Sequence, residues 1–128
     1  MPWTRREDPA RGTRRAVRIH IVEDDYAVRD SLTELVSSLG FSVRAYADGE
    51  SLIRSGPPSS ADVVFVDLGL PGIPGQEVIA WLRRLDAPPR VVAISGRSIV
   101  DIEKMLEDLP GLPLLRKPLE AESIVAHL

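Results

Sequence analysis

The sequence predicts an α/β fold, a doubly wound five-stranded parallel sheet with helices on both faces. Three observations predict it. Short apolar runs alternate five times with helical patterns, as strand, helix, strand, helix. The connections between them are only a few residues long. Val63, Val64, Phe65 and Val66 form an unbroken apolar run, which suits a strand covered on both faces. A chain of 128 residues is one domain of common size, long enough to bury a core.

Residues 1–16, MPWTRREDPARGTRRA, hold five arginines, two acids and two prolines with no apolar period, and read as a mobile Arg-rich tail. The folded domain is expected over residues 17–128. Val17–Val22 is a β-branched first strand that ends on Glu23-Asp24-Asp25. Val28, Leu32, Leu35, Val36 and Leu39 then recur at helical spacing, and Gly40 supplies the stop. Phe41–Tyr46 alternates like a strand, and Asp48 caps a short helix that ends at Gly56-Pro57-Pro58. Val63–Val66 is the third strand and Gln76–Leu85 the next helix, closed by Pro88-Pro89. Val91–Ile94 is the fourth strand. Ser98 with Asp101 resembles a capping box that opens a helix with Ile99, Ile102, Leu106 and Leu109 on one face. Leu114-Leu115 lie in a fifth strand, and Glu120–Leu128 form the last helix.

Composition excludes several functions. With 44% apolar and 27% charged residues, the chain is ordinary for a globular protein. No apolar run approaches the roughly 18 residues of a membrane span, and the first residues lack a signal-peptide core, so a cytoplasmic location without membrane contact is expected. Zero cysteines remove disulfides and thiolate metal sites. A net charge of −3 gives no reason to expect nucleic-acid binding. The chain also uses fourteen arginines but only two lysines, Lys104 and Lys117.

In a parallel α/β sheet, ligands bind beyond the carboxyl ends of the strands. Here the first strand ends in Glu23-Asp24-Asp25, the third in Asp67, the fourth in Ser95 and the fifth in Lys117-Pro118. Polar residues are common where strands meet water. That alone accounts neither for a carboxylate directly behind four buried residues nor for a rare lysine in an arginine-rich chain. If Asp24, Asp67 and Glu23 share one edge, two like charges about 4 Å apart cost roughly 4 kcal/mol at an effective dielectric near 20. A shared proton or a hard divalent cation can relieve this, and an oxygen-only donor set points to Mg²⁺. The same repulsion predicts that Asp24→Asn stabilises the metal-free fold. Gly69 allows the backbone near a ligand, so its carbonyl can serve the metal. Pro71 and Pro74 offer no N–H, and neither G-x-G-x-x-G nor a P-loop occurs, which argues against a nucleotide site. His20, inside the first strand, reads as a packing residue rather than a metal ligand.

Four pieces in order carry a resemblance: IHIVEDD, VFVDLGLPGIPG, AISG and LLRKPL. Their landmarks Asp24, Asp67, Ser95 and Lys117 are spaced by 43, 28 and 22 residues. Over residues 17–128 the chain resembles the receiver domains of two-component response regulators. The resemblance implies a flavodoxin-like sheet of order 2-1-3-4-5. It implies that Asp67 takes a phosphoryl group from a sensor histidine kinase or phosphotransfer protein. Asp24 would ligate Mg²⁺ directly, Glu23 through a water, and Asp67 and the Gly69 carbonyl would complete the protein's share. Ser95 would hydrogen-bond the phosphoryl group and Lys117 would pair with it, with a cis Lys117-Pro118 peptide. The domain would assist its own phosphorylation and dephosphorylation without being an enzyme on other substrates. A homodimer through the fourth helix, fifth strand and fifth helix is a further implied partner.

Three positions depart from the family: Leu114 where an aromatic residue is common, Gly69 two after the phosphoacceptor, and Asp108–Pro113 before the fifth strand. These leave the output switch, the phosphoryl lifetime and the shape of the output face open. Two other readings remain. A Mg²⁺-dependent phosphohydrolase with an aspartyl-phosphate would carry D-x-D, but Asp67 is followed by Leu68-Gly69. A pseudo-receiver that only binds a partner would have lost Asp24, Asp67 or Lys117, and all three are present. The sequence does not say whether the chain is a stand-alone regulator or a piece of a longer protein.

Overall fold

A computed structural model describes residues 17–128, so the tail expected over residues 1–16 lies outside the described residues. The elements run β1 (Arg18–Val22), α1 (Tyr26–Ser38), β2 (Ser42–Tyr46), α2 (Gly49–Arg54), β3 (Val63–Asp67), α3 (Gly75–Arg83), β4 (Arg90–Ser95), α4 (Ile99–Met105), β5 (Leu114–Arg116) and α5 (Ala121–Val125). The strands form one parallel sheet in the order β2-β1-β3-β4-β5, as expected.

Strand alternation divides the core into two layers. Val63 and Phe65 of β3 point with Ile19, Ile21, Val92 and Ile94 toward Leu32 and Val36 of α1 and Ile124 of α5. Val64 and Val66 point the other way, with Val22 and Ala93, toward Leu52, Val78, Ile79, Leu82 and Ile102 on α2, α3 and α4. All five residues of β3 are buried, which the apolar run predicted for a strand covered on both faces. Burying a side chain of this size contributes about 1.5–3 kcal/mol, so the central strands fix the frame that presents their ends.

Two helix ends differ from the sequence pattern. The fourth helix stops at Met105, and Leu106 is its cap with φ −108° and ψ 11°. Pro110 disfavours helical geometry at Leu109, so Leu106 and Leu109 pack as a turn against the same core layer. The last helix is only Ala121–Val125. The Lys117-Pro118 peptide is cis.

Candidate functional site

The carboxyl ends of β1, β3 and β5 meet at one edge of the sheet. Beyond β1, the Glu23 amide donates to the Tyr46 carbonyl at 3.0 Å, which extends the ladder to β2 by one residue and draws Glu23 inside. Glu23 is fully buried, whereas Asp24 and Asp25 are exposed. Asp25 then starts α1, its Oδ1 accepting from the Ala27 and Val28 amides at 2.9 and 3.3 Å. Arg29 reaches back along α1 and donates to the Glu23 carbonyl at 2.7 Å, which braces the acidic turn. Neither the Asp25 cap nor the Arg29 brace is among the residues expected from sequence. An aspartate just before a helical run was a legible cap signal, but nothing marked Arg29.

Asp67 is the last residue of β3 and 4% exposed. Its Oδ1 accepts from the Gly69 amide at 3.0 Å, and its Oδ2 faces Lys117 Nζ at 3.4 Å. The same ammonium lies 3.0 Å from Glu23 Oε1. That oxygen is buried and out of line for a hydrogen bond, so charge alone holds it to Lys117. Gly75 lets α3 begin directly against the end of β3, because a Cβ there would collide with the Asp67 carbonyl.

Carboxylate oxygens of Glu23, Asp24 and Asp67 all lie within 4.8 Å of one another, so this acidic pocket could hold a metal ion. The donor set is oxygen only, which suits a hard cation. Burial, reinforced by the neighbouring Asp67 carboxyl, raises the Glu23 pKa from 4.5 to about 7. Burial opposes the Lys117 charge, but the flanking Glu23 and Asp67 carboxylates outweigh it and raise its pKa. Ser95 ends β4, buried, one residue past Ile94, the β4 partner of Asp67. Its hydroxyl accepts from the Arg97 amide at 3.0 Å. Of the six residues singled out from sequence, Glu23, Asp24, Asp67 and Lys117 converge directly, and Gly69 and Ser95 flank Asp67.

His20 does not join this group. It is buried, with Nε2 2.8 Å from Asp62 Oδ2 and Nδ1 3.1 Å from the Tyr46 hydroxyl. Its imidazole stacks on Tyr46, so it packs as expected.

A family model described as the response regulator receiver domain matches residues 19–128. The chain belongs to that family. The receiver domain is 29% identical over 110 residues to the transcriptional regulatory protein FixJ of Bradyrhizobium diazoefficiens, a match covering 86% of this chain and 54% of FixJ. It is 32% identical over 108 residues to the sensory transduction protein RegX3 of Mycolicibacterium smegmatis, covering 84% of this chain and 47% of RegX3. The chain thus spans about half the length of these curated relatives. Among solved structures, a CheY-like receiver domain from Methylobacillus flagellatus superposes with a TM-score of 0.70 at 30% identity, covering 84% of this chain and 91% of that one. No helix among the described residues is long and apolar enough to cross a membrane.

Proposed function

We propose that this receiver domain is a phosphoacceptor of two-component signalling, with Asp67 as the residue modified. The observation that carries the reading is the convergence of Glu23, Asp24 and Asp67 on one pocket with Lys117 bridging two of them. A carboxylate oxygen of Asp67 attacks the phosphorus of a phosphohistidine on a sensor histidine kinase or phosphotransfer protein. The new O–P bond forms as the N–P bond breaks, and the released imidazole takes up a proton. The Gly69 amide occupies Oδ1, which leaves Oδ2, the oxygen facing Lys117, to attack. Lys117, already 3.4 Å from Oδ2, supplies positive charge where the phosphoryl oxygens arrive. The Ser95 hydroxyl gives up its contact with the Arg97 amide to donate to one of them.

Asp24, Asp67 and the Gly69 carbonyl would hold Mg²⁺, with Glu23 acting through a water. When bound, the ion supplies charge neutralisation for phosphoryl transfer. The domain acts on itself rather than on a separate substrate, and it works in the cytoplasm. Exposed Ile99 and Val100 on α4 and Val125 on α5 support a homodimer through α4, β5 and α5.

Incubation with Mg²⁺ and a small phosphodonor, followed by intact mass measurement, tests the reading. The wild type gains one phosphoryl mass, and Asp67→Asn or excess EDTA prevents it. An Asp67→Asn protein that gains the mass as readily as wild type refutes the assignment.

A further inference from the structure

The loop of residues 68–74, between β3 and α3, carries Gly69 and follows Asp67 directly. Its ends are fixed. The Leu68 amide donates to the Ile94 carbonyl at 2.8 Å, and Gly75 sits hard against the Asp67 backbone. Its middle has one tether. Among the described residues, the Ile73 amide donating to Glu50 Oε2 at 3.2 Å is the single hydrogen bond that ties residues 70–73 to another element.

Glu50 stands in the first turn of α2, where an acid ordinarily just faces the helix N-terminus in water. Here its side chain turns to the loop instead. Its second oxygen, Oε1, is buried without a hydrogen-bond partner, a cost that a solvated first-turn acid does not bear. The loop is shaped around that carboxylate. Gly72 has φ +69°, and any Cβ there would collide with the Glu50 side chain. The start of α2 is held in turn by Asp48, whose Oδ1 accepts from the Ser51 amide at 2.8 Å. Gly49 packs so closely on Val78 of α3 that a Cβ would collide with it.

From these contacts we infer that Glu50 is a positioning residue for the phosphoryl and metal site: it clamps the 68–74 loop and so fixes the Gly69 backbone beside Asp67. The inference rests on the reading of the site under Proposed function. Glu50 touches neither Asp67 nor any reacting group, and acts through the Ile73 amide.

The experiment compares the 128-residue wild type, Glu50→Ala and Glu50→Gln by Mg²⁺ titration calorimetry, with amide hydrogen exchange of residues 68–74 in the metal-free protein. Glutamine keeps a carbonyl acceptor for the Ile73 amide, whereas alanine removes it. Glu50→Ala is expected to weaken Mg²⁺ binding about tenfold and to speed exchange in the loop, with Glu50→Gln within about twofold of wild type on both measures. A Glu50→Ala protein that melts lower yet binds Mg²⁺ like wild type gives Glu50 a structural role only, and overturns the inference while leaving the site intact. If Glu50→Gln is as impaired as Glu50→Ala, the tether is not what matters and the inference also falls. A wild type that takes up no Mg²⁺ overturns the reading of the site, and the inference with it.

Discussion

Lys117 lies closer to Glu23 than to Asp67: its Nζ stands 3.0 Å from Glu23 Oε1 and 3.4 Å from Asp67 Oδ2. In the unphosphorylated protein the ammonium neutralises a buried acid next to the phosphoacceptor. To meet a phosphoryl group it has only to swing off Glu23. A flexible stem with a compact charge allows that short movement.

A guanidinium cannot make the same movement cheaply. It would pair with both carboxylates through its planar fork and hold them together. Lys117→Arg is therefore expected to stabilise the resting protein by about 0.5–1 kcal/mol and to slow phosphorylation by roughly tenfold. Thermal melts and a time course of intact mass with Mg²⁺ and phosphodonor measure both. Unchanged rates of mass gain would falsify the role given to Lys117.

From the sequence, relief of like-charge repulsion is expected at Asp24. The structure shifts it to Glu23, because Glu23 is fully buried while Asp24 faces water. Glu23→Gln keeps an acceptor for the Asp25 amide, now 3.1 Å away, and can donate an amide hydrogen to Asp67. It is expected to stabilise the metal-free protein by about 1–2 kcal/mol, with Asp24→Asn within about 0.5 kcal/mol of wild type. Denaturant unfolding in EDTA decides. Greater stabilisation from Asp24→Asn than from Glu23→Gln would reverse this assignment.

His20 predicts a pH dependence. Burial lowers its pKa below 6.5 against the pull of Asp62, with Arg18 and Arg44 also disfavouring its charge and Tyr46 on its other nitrogen. The unfolded chain then binds the proton more readily. The contribution of His20 to stability is complete above pH 6.5 and declines as pH falls through its lowered folded pKa. Glu23 works in the opposite sense, since its folded pKa of about 7 exceeds 4.5 and its contribution improves as pH falls across the same interval. The comparison that isolates the histidine is wild type against His20→Gln. Urea unfolding at about pH 7.5 and about pH 5.5 should show wild type losing ground to the variant at the lower pH, by no more than roughly 1.4 kcal/mol per pH unit. Parallel pH profiles for the two proteins would count against a buried neutral His20.

The sheet was legible because its signal is local. Alternation within Val63–Val66 sends neighbours to opposite core layers, and the buried runs of β1, β3 and β4 mark the three central strands. The strand-end residues were legible because parallel topology brings strand ends together whatever their spacing in sequence. Burial at those ends was not legible. One extra ladder hydrogen bond to Tyr46 draws Glu23 in and leaves Asp24 out, and that depends on register. The His20–Asp62 pair joins residues 42 apart through the β1–β3 register, and no local pattern reports it. Arg29 and Glu50 brace backbone groups rather than side chains, so their partners carry no sequence signature at all.

Phosphorylation adds about one negative charge at Asp67 together with new acceptor oxygens, and Ser95 should turn toward them. Leu114 stands opposite Ala93 in the sheet, two residues down β4 from Ser95, and packs half-buried in the layer that holds Ile102 of α4. An aromatic side chain at this place could swing as a unit into space left by the hydroxyl, with a polar tip to register the motion. Leucine has neither, and it repacks through small rotamer changes. The only fully buried residue of α4 is Ile102, and Ile99 and Val100 are exposed, so the helix is lightly held. Conformational change at this face should therefore fall on α4 more than on β5. Amide NMR shifts on adding beryllofluoride and Mg²⁺ provide the measurement, with residues 98–109 expected to move more than Leu114. Perturbations at Leu114 as large as those at Ser95, with residues 98–109 silent, would show that β5 carries the signal despite the missing ring.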